Sequence, residues 1–146
     1  MDVAMSVADR EDFLAEPWIG VLAVRDSRGD RAPLQVPVWY DYRPGGDVVV
    51  VMGQSSLKAR LIRESGRFTL CAQDPVMPPR YVSVEGPVIA IDEPMDPAVF
   101  EAMAHRYLEP EEAESCLKRN RMLSEEQIAV RMRPEHWWTT DYRKIG

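Results

Sequence analysis

The sequence predicts a mostly β protein: a small antiparallel barrel with helices at its periphery. Three observations carry that reading. Six short runs rich in Val, Ile and Leu are separated by turn residues. Helical periodicity is confined to three stretches. A sheet of six short strands needs its edges hidden, and closure into a barrel does so. The 146 residues, 45% hydrophobic and 29% charged, suit one domain spanning the chain, with a helical insertion at about 96–122.

The elements follow in order. Ser6-Val7-Ala8-Asp9 fits a capping box with Asp in place of Glu, and Pro17 ends this first helix. Trp18 to Arg25 reads as a strand, followed by the turn Asp26-Ser27-Arg28-Gly29-Asp30. Ala32 to Tyr42 is the second strand, Arg43-Pro44-Gly45-Gly46 another turn, and Asp47 to Met52 the third. Short turns predict that these three form a meander. Ser55 to Ser65 is a helix with Leu57, Leu61 and Ile62 on one face, stopped by Gly66. Arg67 to Gln73 is the fourth strand. After a proline-rich loop, Arg80 to Ile91 is the fifth, with a bulge or bend expected at Gly86-Pro87. An acidic helical stretch from Asp96 to about Met122 breaks near Pro110. Ile128 to Arg133 is the sixth strand, and an aromatic tail follows.

Composition excludes several classes. A net charge of −6 argues against a nucleic-acid binder, which needs a basic surface. No apolar run approaches the ~20 residues of a membrane span. The acidic first 16 residues do not resemble a secretory leader, so a cytoplasmic protein is expected. Cys71 and Cys116 make neither a disulfide framework nor a metal motif. His105 reads as a surface or capping residue, and His136 sits beside Trp137 and Trp138. Two distant histidines make no metal site and no triad with any Ser and Asp.

Two segments could carry chemistry. In Met52-Gly53-Gln54-Ser55-Ser56-Leu57-Lys58-Ala59-Arg60 a strand ends, glycine turns, two hydroxyls follow and a helix begins with a cation. Unpaired N–H groups and the positive end of the helix dipole suit a phosphate there. Ser55 or Ser56 can donate, Lys58 adds a point charge and Arg60 a planar fork. An ordinary serine N-cap with solvated cations fits the same residues. In Gln35-Val36-Pro37-Val38-Trp39-Tyr40 a proline interrupts a strand, which places it at an edge. Such an edge offers backbone groups to a planar heterocycle, or it is simply an edge with Trp39 in the core. With no evident acid, base or nucleophile, any chemistry belongs to a cofactor.

Together these segments resemble the flavin-binding split-barrel proteins, the pyridoxamine 5′-phosphate oxidase-like superfamily, and most of all its short F₄₂₀- or FMN-dependent reductases. The resemblance spans about Phe13 to Trp138. It rests on Ile19-Gly20-Val21-Leu22-Ala23, Pro37-Val38-Trp39-Tyr40-Asp41, Ser55-Ser56-Leu57-Lys58-Ala59-Arg60 and Arg80-Tyr81-Val82-Ser83-Val84-Glu85-Gly86. It implies a six-stranded antiparallel split barrel, a homodimer and two cofactor sites at the dimer interface. By motif, Lys58 would hold the cofactor phosphate with Ser55, Ser56 and Arg60. Gln35, Val36, Pro37, Val38 and Trp39 would run along the ring, and Met52 and Gly53 beside the side chain. Tyr81 and Arg80 would approach from the fifth strand, and Trp138 from the second chain.

The implied cofactor is coenzyme F₄₂₀, with FMN as the alternative. The implied activity is hydride transfer to a small unsaturated organic molecule. The chain lacks the C-terminal Trp and Arg segment of true pyridoxamine phosphate oxidases, so vitamin B6 oxidation is not expected. The rival reading is a non-catalytic carrier of flavin, deazaflavin or tetrapyrrole.

Overall fold

The structure is a computed structural model that describes residues 2–145. Helix α1, Val7–Ala15, begins where the Ser6 hydroxyl accepts from the Asp9 N–H at 3.1 Å. It buries Phe13 and Leu14 and stops before Pro17, as its residues dictate. Strands β1 (Gly20–Val24), β2 (Leu34–Val38) and β3 (Val48–Gly53) follow, then helix α2 (Leu57–Ser65). The Ser56 hydroxyl caps α2 by accepting from the Ala59 N–H at 3.2 Å. Gly66 ends it at φ 70°, a left-handed conformation that glycine adopts without a Cβ penalty. Strands β4 (Arg67–Asp74) and β5 (Arg80–Asp92) precede helices α3 (Pro97–Tyr107) and α4 (Pro110–Arg121). These two helices fill the acidic stretch expected to be helical and break at Pro110. Strands β6 (Gln127–Met132) and β7 (His136–Asp141) and a short 3-10 turn, Tyr142–Ile145, complete the described chain.

The strand order is β2-β1-β4-β5-β6-β3, all antiparallel, with β7 also on β5. The sheet curls into a half-barrel with the helices outside. Two expectations are corrected. The first three strands are not a meander: β3 pairs with β6, and touches the chain after β2 only at the Asp41–Val49 bridge. Turn length permits a hairpin but does not force one, and the Val-rich β3 buries more by joining the equally apolar β6. There is also a seventh strand in the aromatic tail. It runs on from β6 along the same edge of β5.

That continuation depends on Gly86. Strand β5 faces β7 over Arg80–Glu85 and β6 over Val88–Asp92. Between them Arg133 donates its N–H to the Pro87 carbonyl at 3.0 Å, and Glu135 to the Glu85 carbonyl at 2.9 Å. A Cβ on residue 86 would lie 1.7 Å from the Arg133 carbonyl oxygen, so only glycine fits. The register irregularity itself falls between Val88 and Ala90 rather than at Gly86-Pro87.

Alternation sorts the sheet into two faces. Val36, Leu22, Leu70, Val84 and Trp137 form one inward row, packed with Phe13, Tyr40, Leu61, Ile62 and Ile128. The outward row is Pro37, Val21, Cys71, Ser83 and Trp138. Ile19 and Trp138 on this side are more than half exposed, at 54% and 52%. No described helix is long and apolar enough to cross a membrane.

Candidate functional site

Strands β2 and β3 end the sheet path on either side of an open seam. Each pairs with one neighbour, so each leaves one row of backbone groups free along the seam. The Asp41–Val49 bridge brings the chain just after β2 against β3. The two segments singled out from sequence therefore lie on the two strands that end the sheet path, at β2 and at the end of β3. Pro37 is tolerated because an edge strand has one side where no ladder donor is needed. Gln35 and Pro37 are exposed, whereas Val36 and Val38 pack against the core. Met52 is buried, so only its backbone can reach a ligand.

At the end of β3 the turn into α2 collects donors. The Ser55 N–H and hydroxyl both donate to one carboxylate oxygen of Glu125, the N–H at 2.8 Å. These bonds hold the Glu125 carboxyl below its usual range. The carboxylate lies directly over Gly53, where an added Cβ would sit 2.6 Å from it. This helix start thus already holds an oxyanion, supplied by the chain itself. The donor set suits a phosphate oxygen equally well. Beside it the Gln54 amide, oriented to satisfy its neighbours, donates to Glu93 at 3.1 Å and Glu126 at 2.7 Å.

The basic segment looks different in three dimensions. Arg60 pairs with Glu64 four residues on, at 3.2 Å. Arg63 pairs with Glu93 at 3.0 Å, and Arg67 with Glu85 at 2.9 Å and Glu135 at 3.2 Å. Among the described residues, Lys58 joins no ion pair. It is the cation of this segment left free for an outside anion. Ser56 is occupied as the helix cap.

The remaining predicted residues divide. Arg80 is clamped to Asp74 at 2.6 Å, and its guanidinium lies 4.9 Å from the Phe13 ring centre, so it braces the barrel end. The backbone N–H of Val76 and then Arg80 hold the Asp74 carboxyl below its ordinary value. Tyr81 lies opposite Thr140, near one end of the outward face. Trp138 is on that face too, across from Ser83. Trp39 is not in the core: it stacks on Tyr107 of α3, centres 4.9 Å apart and planes within 8°.

Sequence reasoning missed Tyr107 and Glu125. The Tyr107 hydroxyl has one proton within reach of two carbonyls, Trp18 at 2.8 Å and Tyr40 at 3.1 Å, and accepts from the Tyr40 N–H at 3.2 Å. Burial raises the phenol's pKa, keeping the hydroxyl protonated as a donor. Arg106 adds bonds of 2.8 Å to the carbonyls of Ala15 and Glu16. The end of α3 is thereby fixed against the lip that carries β2. Nothing in their spacing marks these residues, because their partners are distant in sequence. A hollow of about 460 Å³, lined by Pro17, Trp18, Ile19, Val21, Cys71, Gln73 and Pro75, opens on the outward face.

No family model matches the sequence, and neither does any curated protein. Solved structures do match. A conserved hypothetical protein of Mycobacterium tuberculosis superposes with TM-score 0.76 at 24% identity, over 99% of this chain and 90% of its own. An F₄₂₀ reductase gives 0.67 at 24%, over 88% and 94%. A candidate pyridoxamine 5′-phosphate oxidase of Listeria innocua gives 0.59 at 11%, over 91% and 94%. The fold is the split barrel that these structures share. A heme-binding protein of Mycobacterium smegmatis shares this split barrel at TM-score 0.60 and 18% identity, over 95% of this chain and 55% of its own. In this split barrel the split is the seam between β2 and β3, and α3 braces one of its lips.

Proposed function

We propose that this split barrel is a flavin- or deazaflavin-dependent oxidoreductase acting on a small unsaturated organic substrate. The reading is supported by the seam itself: β2 ends the sheet path with a free edge, and the start of α2 carries Lys58, which joins no ion pair among the described residues. The edge at Gln35–Trp39 would align a planar ring through backbone groups. Ser55 and Lys58 would hold the phosphate, and Gly53 lets it approach the backbone closely. The bound cofactor supplies hydride transfer. The protein supplies orientation and a dry wall.

The same reading includes a homodimer, with a second copy covering the outward face. The exposed Ile19, Val21 and Trp138 on that face support it, since large apolar side chains gain by being covered. Trp138 of the second copy would then reach the cofactor.

Lys58→Ala tests the site. A charge-assisted hydrogen bond contributes ~1.5–3 kcal/mol, so cofactor affinity should fall roughly 10–100-fold. Titration with F₄₂₀ and with FMN, followed by tryptophan fluorescence, reads this. An unchanged dissociation constant removes the phosphate assignment. The heme-binding neighbour favours a second reading, a tetrapyrrole or flavin carrier. A Soret band on heme titration, together with no turnover of F₄₂₀ or FMN with any acceptor, would select it.

A further inference from the structure

We propose that Glu125 filters ligands by charge, admitting a singly charged phosphodiester in preference to a doubly charged phosphomonoester. The inference rests on the cofactor site proposed above. The Glu125 carboxylate occupies the donors at the start of α2, taking both the N–H and the hydroxyl of Ser55. It is seated against the backbone of Gly53, and an added Cβ there would come 2.6 Å from its Cδ and Oε2. The Ser55 donors stabilise this charge in place, and two more carboxylates stand nearby: Glu93, paired with Arg63, and Glu126, which accepts from the Gln54 amide.

A phosphate entering this cradle either displaces Glu125, which stays tethered close by, or shares the donors with it. Each ligand charge then faces the carboxylate at a few ångströms. One additional negative charge at that range, partly solvated, weakens binding by about tenfold. A phosphomonoester is largely dianionic at neutral pH, because its second pKa is near 6. A phosphodiester carries one charge. FMN ends in a monoester, so the filter weighs against it, and methylating that phosphate removes one charge and nothing else.

The test compares wild type with Glu125→Gln. Gln keeps a carbonyl for the Ser55 N–H and loses the charge, and thermal melts confirm that both proteins fold. The probes are F₄₂₀, FMN and the monomethyl phosphate ester of FMN, which changes one charge and leaves the ring alone. Wild type should bind the methyl ester about tenfold tighter than FMN, and Glu125→Gln should bind the two alike. An equal preference in both proteins, or tighter FMN binding by wild type, overturns the filter and leaves the cofactor site standing. Failure of all three probes to bind either protein overturns the cofactor site and the filter together.

Discussion

Replacing Gly86 with alanine should be among the most damaging single changes in the protein. The added Cβ would lie 1.7 Å from the Arg133 carbonyl oxygen and 2.7 Å from its carbon, both backbone atoms that cannot rotate away. The Met132 sulfur, at 3.1 Å, blocks retreat on another side. Relief requires parting the strands by roughly 1.5 Å, which takes the Arg133 to Pro87 bond out of hydrogen-bond range. Overpacking of this kind costs ~1–3 kcal/mol. Loss of the flanking bonds at Arg133 and Glu135 adds ~0.5–1.5 kcal/mol each. The expected sum is about 4 kcal/mol, or ~8–16 °C in melting temperature for a chain of this size. Urea unfolding followed by tryptophan fluorescence measures it directly. A loss below ~1 kcal/mol would refute the close approach of β5 to the β6–β7 junction, and with it the shared-edge topology.

Removing the Tyr107 hydroxyl with Tyr107→Phe keeps the stack on Trp39 but strands the Trp18 carbonyl and the Tyr40 N–H. It should cost ~1–3 kcal/mol in urea unfolding, and a neutral result would show that α3 does not brace the seam. At acid pH the Asp26 carboxyl matters. Hydrogen bonds from the Arg28 side chain and backbone lower its pKa to about 2, against an ordinary value of 3.8. Its folded value is depressed, so its contribution is present above about 3.8 and disappears as pH falls towards about 2. Asp26→Asn should therefore lower the urea midpoint at pH 7 and narrow the difference between pH 7 and pH 2. Equal midpoints for the variant and the parent at pH 7 would count against that pairing.

How much could be read from the chain differed element by element. Helix α1 was legible because its signals are local: Ser6 caps, Phe13 and Leu14 point inward, and Pro17 stops it. The same holds for α2 between Ser56 and Gly66. Strand β7 was missed although His136, Trp137 and Trp138 alternate between faces, because Pro134 and the aromatic composition read as a tail. The meander was misread because short turns report proximity of strand ends, whereas the pairing of β3 with β6 is decided by burial between segments more than 70 residues apart.

The site divides along the same line. The split barrel was expected from the family resemblance, whereas the sequence by itself determined the run of short strands, the helix start at Ser55–Lys58 and the proline-marked edge strand. Each depends on residues adjacent in the chain, where backbone preference and hydrophobic alternation act. Only the tertiary structure decided which charges remain available. Arg60 finds its partner one helical turn away, but Arg63, Arg67 and Ser55 find theirs in Glu93, Glu85 with Glu135, and Glu125. Of this run of cations, Lys58 alone joins no ion pair among the described residues. Coulomb interactions depend on distance in space, and sequence separation says nothing about that until the sheet has closed.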